Sequence, residues 1–274
     1  MKKLLAIILS LCMVLSFAAC GKADTESTGA DADAGATVTS DLEYVKEKGK
    51  LVVGVTVFEP MDYQDKDGSW IGFDADMANA FAKELGVEAE FQIIDWDSKA
   101  MELEGKTIDV VWNGMTLTDE VKAAMSTSNA YFNNAQVVIV KKDVADKYQT
   151  VDAVKELNFA VEAGSAGEAQ VKTLGAEYTP VADQATALTE VMSGTADAAV
   201  IDFLMALSMI GEGTSYENLT HTVALNEEKY GVGFRKGSDL TEKLNEFFKK
   251  SYADGSMKTI AEKYGIQEYL VVQE

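Results

Sequence analysis

The residues with chemical reach stand at the ends of apolar stretches. Asp202 closes Ala198-Ala199-Val200-Ile201, Asn113-Gly114-Met115-Thr116 follows the run 108–112, and Gly164-Ser165-Ala166-Gly167 follows 158–161. Turns of this kind can meet small charged groups: a carboxylate can receive a cation, and a hydroxyl with N–H groups at a helix start can receive an anion. Each also has a plain structural reading, since Asp202 and Ser165 are good helix caps. Phe58, Trp96 and Trp112 offer aromatic walls, although large aromatics beside strands are more often core. Catalysis has less to draw on. His221 is the only histidine and Arg235 the only arginine, and no partner for acid–base work is visible beside His221, Glu59 or Asp202.

The elements that position these turns alternate. Residues 51–57 are continuously apolar and β-branched, the pattern of a strand buried on both faces. Phe73, Met77, Phe81 and Leu85 recur every four residues, which predicts a helix over 74–85 stopped at Gly86. Strands follow at 87–94 and 108–112. Thr118 caps a helix to about Met125, and 136–140 is again a strand. A second set comprises a strand at 158–161, a helix to about Leu174, a helix capped by Asp183 and stopped by Gly194, and a strand at 198–201. A Met-rich helix then runs to about Ile210, with a strand at 231–234 and helices at 239–252 and 256–264. Residues 218–222, around His221, read as a loop. This βαβ punctuation predicts an α/β fold of parallel or mixed sheets with helices on both faces. In such sheets ligands sit at the carboxyl ends of strands.

The N-terminus reads as a signal peptide over 1–19, with Lys2 and Lys3, an apolar stretch 4–17, and Ala18-Ala19 before Cys20. Phe17-Ala18-Ala19-Cys20 resembles the bacterial lipobox, with Phe where Leu is usual. That resemblance implies diacylation (palmitate) of Cys20 and anchoring to the cell membrane. Cys12 leaves with the signal, so the mature chain has no pair of cysteines for a disulfide. Residues 20–40 are Ala, Gly, Asp, Ser and Thr with almost nothing to bury, a flexible tether. Cleavage removes two positive charges and no negative one, taking the formal charge from −21 to −23. So acidic a chain does not seek nucleic acid or anionic lipid through charge.

Ordered pieces run along the chain: Gly49-Lys50-Leu51-Val52-Val53-Gly54-Val55, Phe58-x-Pro60, Gly72-Phe73-Asp74-x-Asp76, Asp95-Trp96-Asp97 and Gly114-Met115-Thr116-Leu117-Thr118-x-Glu120. Later come Gly164-Ser165-Ala166-Gly167-Glu168, Gly194-x-x-Asp197-Ala198-x-x-x-Asp202 and Gly231-Val232-Gly233. In order and spacing this resembles the extracytoplasmic solute-binding proteins, family 3, polar amino acid type, of ABC importers. The resemblance implies a two-lobe clam-shell of the periplasmic-binding-protein type II class. Lobe one would hold 41–134 plus 232–274 and lobe two 135–231, with a hinge near Asn133-Asn134 and near Gly231. It implies ligand capture for import rather than catalysis, permease subunits as partners, a monomer touching the membrane only through its lipid, and no cofactor or metal. An enzyme on the same scaffold, of the cyclohexadienyl dehydratase kind, and a sensor domain acting through a receptor are the alternatives.

Carried over residue by residue, the resemblance gives Asp202 to the ligand ammonium and Ser165, with Ala166, to its carboxylate. Gly114, Met115 and Thr116 supply a carbonyl, N–H and hydroxyl, Asn113 a versatile amide, and Phe58 and Trp96 the side-chain wall. One departure matters. The family pattern places a carboxylate-clamping arginine where this chain has Val121. Either a lysine substitutes, or the ligand lacks that carboxylate, or donors at Ser165 and Thr116 suffice. Lys99 is the preferred substitute. Lys122 is its rival, but one residue turns a helix by about 100° and aims it elsewhere. Glu59 could receive a cationic ligand group or pair with Lys99.

Overall fold

The computed structural model describes residues 40–274; the expected signal peptide, Cys20 and the tether before Ser40 lie outside the described residues. In the first half, α1 (Asp41–Lys48) leads into β1 (Lys50–Val55), the hairpin β2 (Tyr63–Gln64) and β3 (Trp70–Ile71), α2 (Phe73–Leu85), β4 (Glu88–Ile93), α3 (Lys99–Glu104) and β5 (Val110–Thr116). Next come α4 (Asp119–Ala124), β6 (Ser126–Thr127), β7 (Phe132–Asn134), β8 (Gln136–Lys141), α5 (Val151–Val154), β9 (Phe159–Glu162) and α6 (Ala166–Leu174). The chain continues through β10 (Tyr178–Val181), α7 (Gln184–Ser193), β11 (Ala198–Asp202), α8 (Phe203–Met209), β12 (Leu219–Ala224), β13 (Glu228–Phe234), α9 (Leu240–Ala253) and α10 (Ser256–Lys263).

Local chemistry sets many of these boundaries. Thr118, Ser165 and Asp183 accept the backbone N–H three residues on, capping α4, α6 and α7. Gly86, Gly175 and Gly194 end α2, α6 and α7 in the left-handed conformation that glycine takes without strain.

Two sheets result. The first has the order β4-β1-β5-β13-β6, with β7 also paired to β13. Its β1 lies parallel to β4 and β5, and β13 runs antiparallel to β5, β6 and β7. The second has the order β10-β9-β11-β8-β12, with β9 parallel to β10 and β11 and β8 antiparallel to β11 and β12. Central strands β1 and β11 are buried almost end to end, as strands covered on both faces must be. The chain passes between the sheets twice, through Ala135 alone and through residues 225–227. Backbone pairing of Glu228 with Asn134 puts the second passage before Glu228, ahead of its expected place near Gly231.

Two further readings need correction. Residues 113–116 belong to β5 itself, not to a turn beyond it. Between the pairs Met115–Gly231 and Val111–Gly233 the register shifts, so β5 carries extra residues as a bulge, which the apolar run did not reveal. Residues 218–222 are mostly strand β12. Its Thr and His residues hide it, yet Leu219 and Val223 are buried and His221 pairs with Ile139. The His221 ring meets Phe203 edge-on, at 5.8 Å between centroids.

Arg235, the chain's only arginine, ties the start of the body together. Its Nε lies 3.0 Å from both Asp41 oxygens, its Nη1 donates to the Ile108 carbonyl at 2.8 Å, and its Nη2 lies 3.4 Å from Asp109, which is fully buried and also pairs with Lys48. Removing one partner of a buried ion pair strands the other charge. Arg235→Met is therefore expected to lower unfolding free energy by about 3 kcal/mol or more in denaturant titrations, while leaving any ligand-induced thermal shift in place.

Candidate functional site

A cavity of about 330 Å³ lies between the strand ends of the two sheets. From the first sheet's side come Phe58, Trp96, Lys99, the β5 bulge and Val121; from the second come Glu162, Ser165, Ala166, Gln184 and Asp202. Of the expected site residues, ten stand on this wall: Phe58, Trp96, Lys99, Asn113, Gly114, Met115, Thr116, Ser165, Ala166 and Asp202. Glu59 does not. The turn that returns the Asp62 N–H to the Phe58 carbonyl points Phe58 inward, and its neighbour is left outside the wall. Lys122 is exposed and also off the wall. Trp112 is core, wedged between Phe81 and Phe248.

The bulge is held from behind. Asn113 Oδ1 accepts from the Thr56 N–H at 3.0 Å and hydroxyl at 2.9 Å, while its Nδ2 donates to the Thr56 carbonyl at 3.0 Å and Asp62 at 2.8 Å. Its amide is thus fully engaged inside the protein and works as a pin. Gly114 has φ 54°, and its N–H donates to Asp74 at 2.7 Å; a Cβ there would fall 2.5 Å from the Phe58 ring. No other residue fits that place. Asp74 also accepts the Tyr131 hydroxyl at 2.7 Å.

Asp202 stands at the N-cap position of α8 without capping it by its side chain. Its Oδ1 instead accepts from Asn134 (2.6 Å), Gln136 (3.0 Å) and Tyr230 (2.6 Å), and its Oδ2 accepts from Gln184 (2.5 Å). Asn134 and Gln136 flank the Ala135 passage, and both also donate to Glu228 at the start of β13, at 2.7 and 2.8 Å. Thr116 donates to the same Glu228 oxygen at 2.9 Å. Asp202 and Glu228 therefore clasp the two sheets where the chain crosses between them.

Lys99 bridges the cavity mouth. Its Nζ donates to the Trp96 carbonyl at 3.0 Å and to the Gly164 carbonyl at 3.1 Å, 4.8 Å above the Trp96 ring. Burial lowers its pKa, against nearby Glu162 and Asp97. At the start of α6, Ser165 accepts the Glu168 N–H at 3.0 Å, and Glu168 accepts the Gly164 N–H at 2.9 Å, a capping arrangement that fills part of the helix end with the chain's own carboxylate. Among the described residues, no group of three or more His, Cys, Asp or Glu is placed to hold a metal.

A sequence profile of the bacterial extracellular solute-binding proteins, family 3, matches residues 51–267. The chain belongs to that family. Among its relatives is the arginine-binding extracellular protein ArtP of Bacillus subtilis, 28% identical over 270 residues, covering 96% of this chain and 98% of ArtP. Among solved structures, an ABC uptake transporter substrate-binding protein from Streptococcus pneumoniae with bound histidine superposes with a TM-score of 0.77 at 29% identity, covering 86% of this chain and 100% of that one. The ancestral amino acid-binding protein AncCDT-1, a precursor of cyclohexadienyl dehydratase, gives 0.75 at 33% identity, covering 82% of this chain and 99% of that one. These likenesses establish the two-lobe type II architecture and an extracytoplasmic binding protein. In this family member the position expected for an arginine is Val121, an apolar part of the cavity wall.

Sequence reasoning missed Glu162. It ends β9, is 3% exposed and faces the cavity, and its Oε1 has no hydrogen-bond partner. A carboxylate closing an apolar strand, as Asp202 does, was the available signal. Burial, then the charge of Asp202, pushes Glu162 up to about 8. Burial, then Glu228, pushes Asp202 to about 7, and burial pushes Asp74 to about 7.

These values fix a pH dependence. Below about pH 4 both folded and unfolded chains hold the three protons. Above that the unfolded chain releases them and the folded chain keeps them until about 7 to 8. Unfolding then releases protons, so stability falls as pH rises through this window, by about 1.4 kcal/mol per pH unit for each proton fully retained. Denaturant titrations from pH 5 to 8 are expected to show that decline, and Glu162→Gln to make it shallower.

Proposed function

We propose that this solute-binding protein captures an amino acid or a similar small polar solute in the cavity and delivers it to the permease of an ABC importer. The observation that carries this reading is a cavity walled by both sheets and lined with buried charged groups, in a chain whose relatives are named for amino acid binding. We take residues 41–134 with 228–274 as one lobe and 135–227 as the other. Phe58, Trp96, Lys99 and the β5 bulge meet the solute from the first lobe; Glu162, Ser165 and Ala166 meet it from the second. A solute touching both lobes binds the closed form better than the open one, which is what closure requires. A lipid on Cys20 would keep this monomer beside its permease.

A second reading, an enzyme on this scaffold, has one observation in its favour. Glu162, raised to about 8, is a carboxylic acid kept protonated near neutrality, as a general acid needs. Incubation with candidate solutes followed by mass spectrometry separates the two: binding without turnover is expected.

The direct test is a thermal-shift screen of amino acids and related polar solutes. A solute at about 100 times its Kd raises stability by about 2.7 kcal/mol. The same solute is expected to give no shift with Ala166→Trp, which fills the cavity from the start of α6 while leaving the unliganded melting temperature close to the parent's. If no solute shifts the melting point and none compacts the protein in solution scattering, solute capture is wrong.

A further inference from the structure

Most polar side chains on the cavity wall already have partners within the protein. Asn113 is fully engaged, Asp202 accepts four hydrogen bonds, and the Thr116 hydroxyl is turned to Glu228. Glu168 and Lys172 pair with each other at 3.0 Å. Asp97 and Glu120 are exposed, and Glu162 is the buried exception, because its Oε1 is unpartnered. A carboxylate in that position is costly unless it holds a proton or meets a cation.

The titratable groups around it are mostly acids. Apart from the Glu168–Lys172 pair, the wall carries Asp97, Glu120, Glu162 and Asp202 against Lys99 alone, and Glu162 and Asp202 hold their protons toward neutrality. Two of the three Lys99 donors are engaged by the Trp96 and Gly164 carbonyls. Beyond the Ser165 hydroxyl and the Ala166 N–H at the start of α6, no charged group on the wall is arranged to clamp a carboxylate. Val121 is apolar, the chain's only arginine is bound to Asp41 and Asp109, and the Gly164 N–H is taken by Glu168. A ligand carboxylate would add to a cluster of acids that already resist ionising beside one another, whereas a ligand cation would favour the ionised form of the acid it meets.

We infer that the solute is an organic cation without a carboxylate, of the diamine or guanidinoalkylamine class, whose charged nitrogen is received by Glu162. Trp96 and Phe58 lie along its hydrocarbon. The inference rests on solute capture being the function of the cavity, and it narrows the class of solute.

Titration calorimetry on the mature protein tests it with three pairs that differ only in the α-carboxylate: 1,4-diaminobutane and ornithine, 1,5-diaminopentane and lysine, agmatine and arginine. In every pair with a measurable member, the amine is expected to bind at least tenfold more tightly than the amino acid. Glu162→Gln is expected to weaken the best amine tenfold or more while its circular dichroism stays that of the parent. Equal or tighter binding by an amino acid, or an unchanged affinity in Glu162→Gln, overturns the inference. Silence from all three pairs also overturns it. The thermal-shift screen of amino acids then reports on the function itself: a shift with any of them keeps solute capture with a different solute, and silence across the whole screen with no compaction in solution scattering removes both.

Discussion

A carboxylate withdrawn from water must find donors or keep its proton, and much of this protein's interior is arranged around that requirement. Asp109 is met by Arg235, Lys48 and the Val52 N–H, which fastens the first helix to the start of β5. Asp74 holds the Gly114 N–H and the Tyr131 hydroxyl, which fixes the β5 bulge against Phe58. Asp202 and Glu228 share the amides of Asn134 and Gln136 where the chain passes between sheets. Three buried acids, with half-buried Glu228, thus do three structural tasks, at the base, the β5 bulge and the crossing. On the cavity wall, Glu162 reaches the same depth with one carboxylate oxygen unpartnered.

That contrast separates scaffold from site better than burial or residue type does. Asn113 and Asp202 are the residue types expected to touch a ligand, and both stand on the cavity wall. Their hydrogen-bonding capacity is nevertheless used by neighbours, so they shape and hold the wall. Groups with capacity to spare are those left open toward the cavity. Lys99 occupies the middle ground, with an aromatic face beneath it and a carbonyl from each side of the cavity in reach.

The alternating elements were legible in the sequence because buried parallel strands read as unbroken apolar runs and because Gly86, Gly194, Thr118 and Asp183 mark helix ends by plain local chemistry. The turns that carry Phe58, Ser165 and Asp202 followed from that order. What escaped notice depends on contacts distant in sequence. The β5 bulge exists through its register with β13, more than a hundred residues on. Strand β12, rich in Thr and with one His, is a strand because β8 pairs with it. Glu162 lies one residue beyond the apolar run 158–161, and its unpartnered Oε1 is a property of the folded surroundings. The commitment of Asp202 to Asn134, Gln136, Gln184 and Tyr230 is equally invisible along the chain.

The two passages between the sheets are very short, one residue at Ala135 and three at 225–227. Neither has slack to let the halves slide or drift apart. Like a door on two pins, such a joint leaves mainly a swing about the line through both passages. The clasp of Asp202 and Glu228 sits beside both passages, close to that line, where leverage on its hydrogen bonds is smallest.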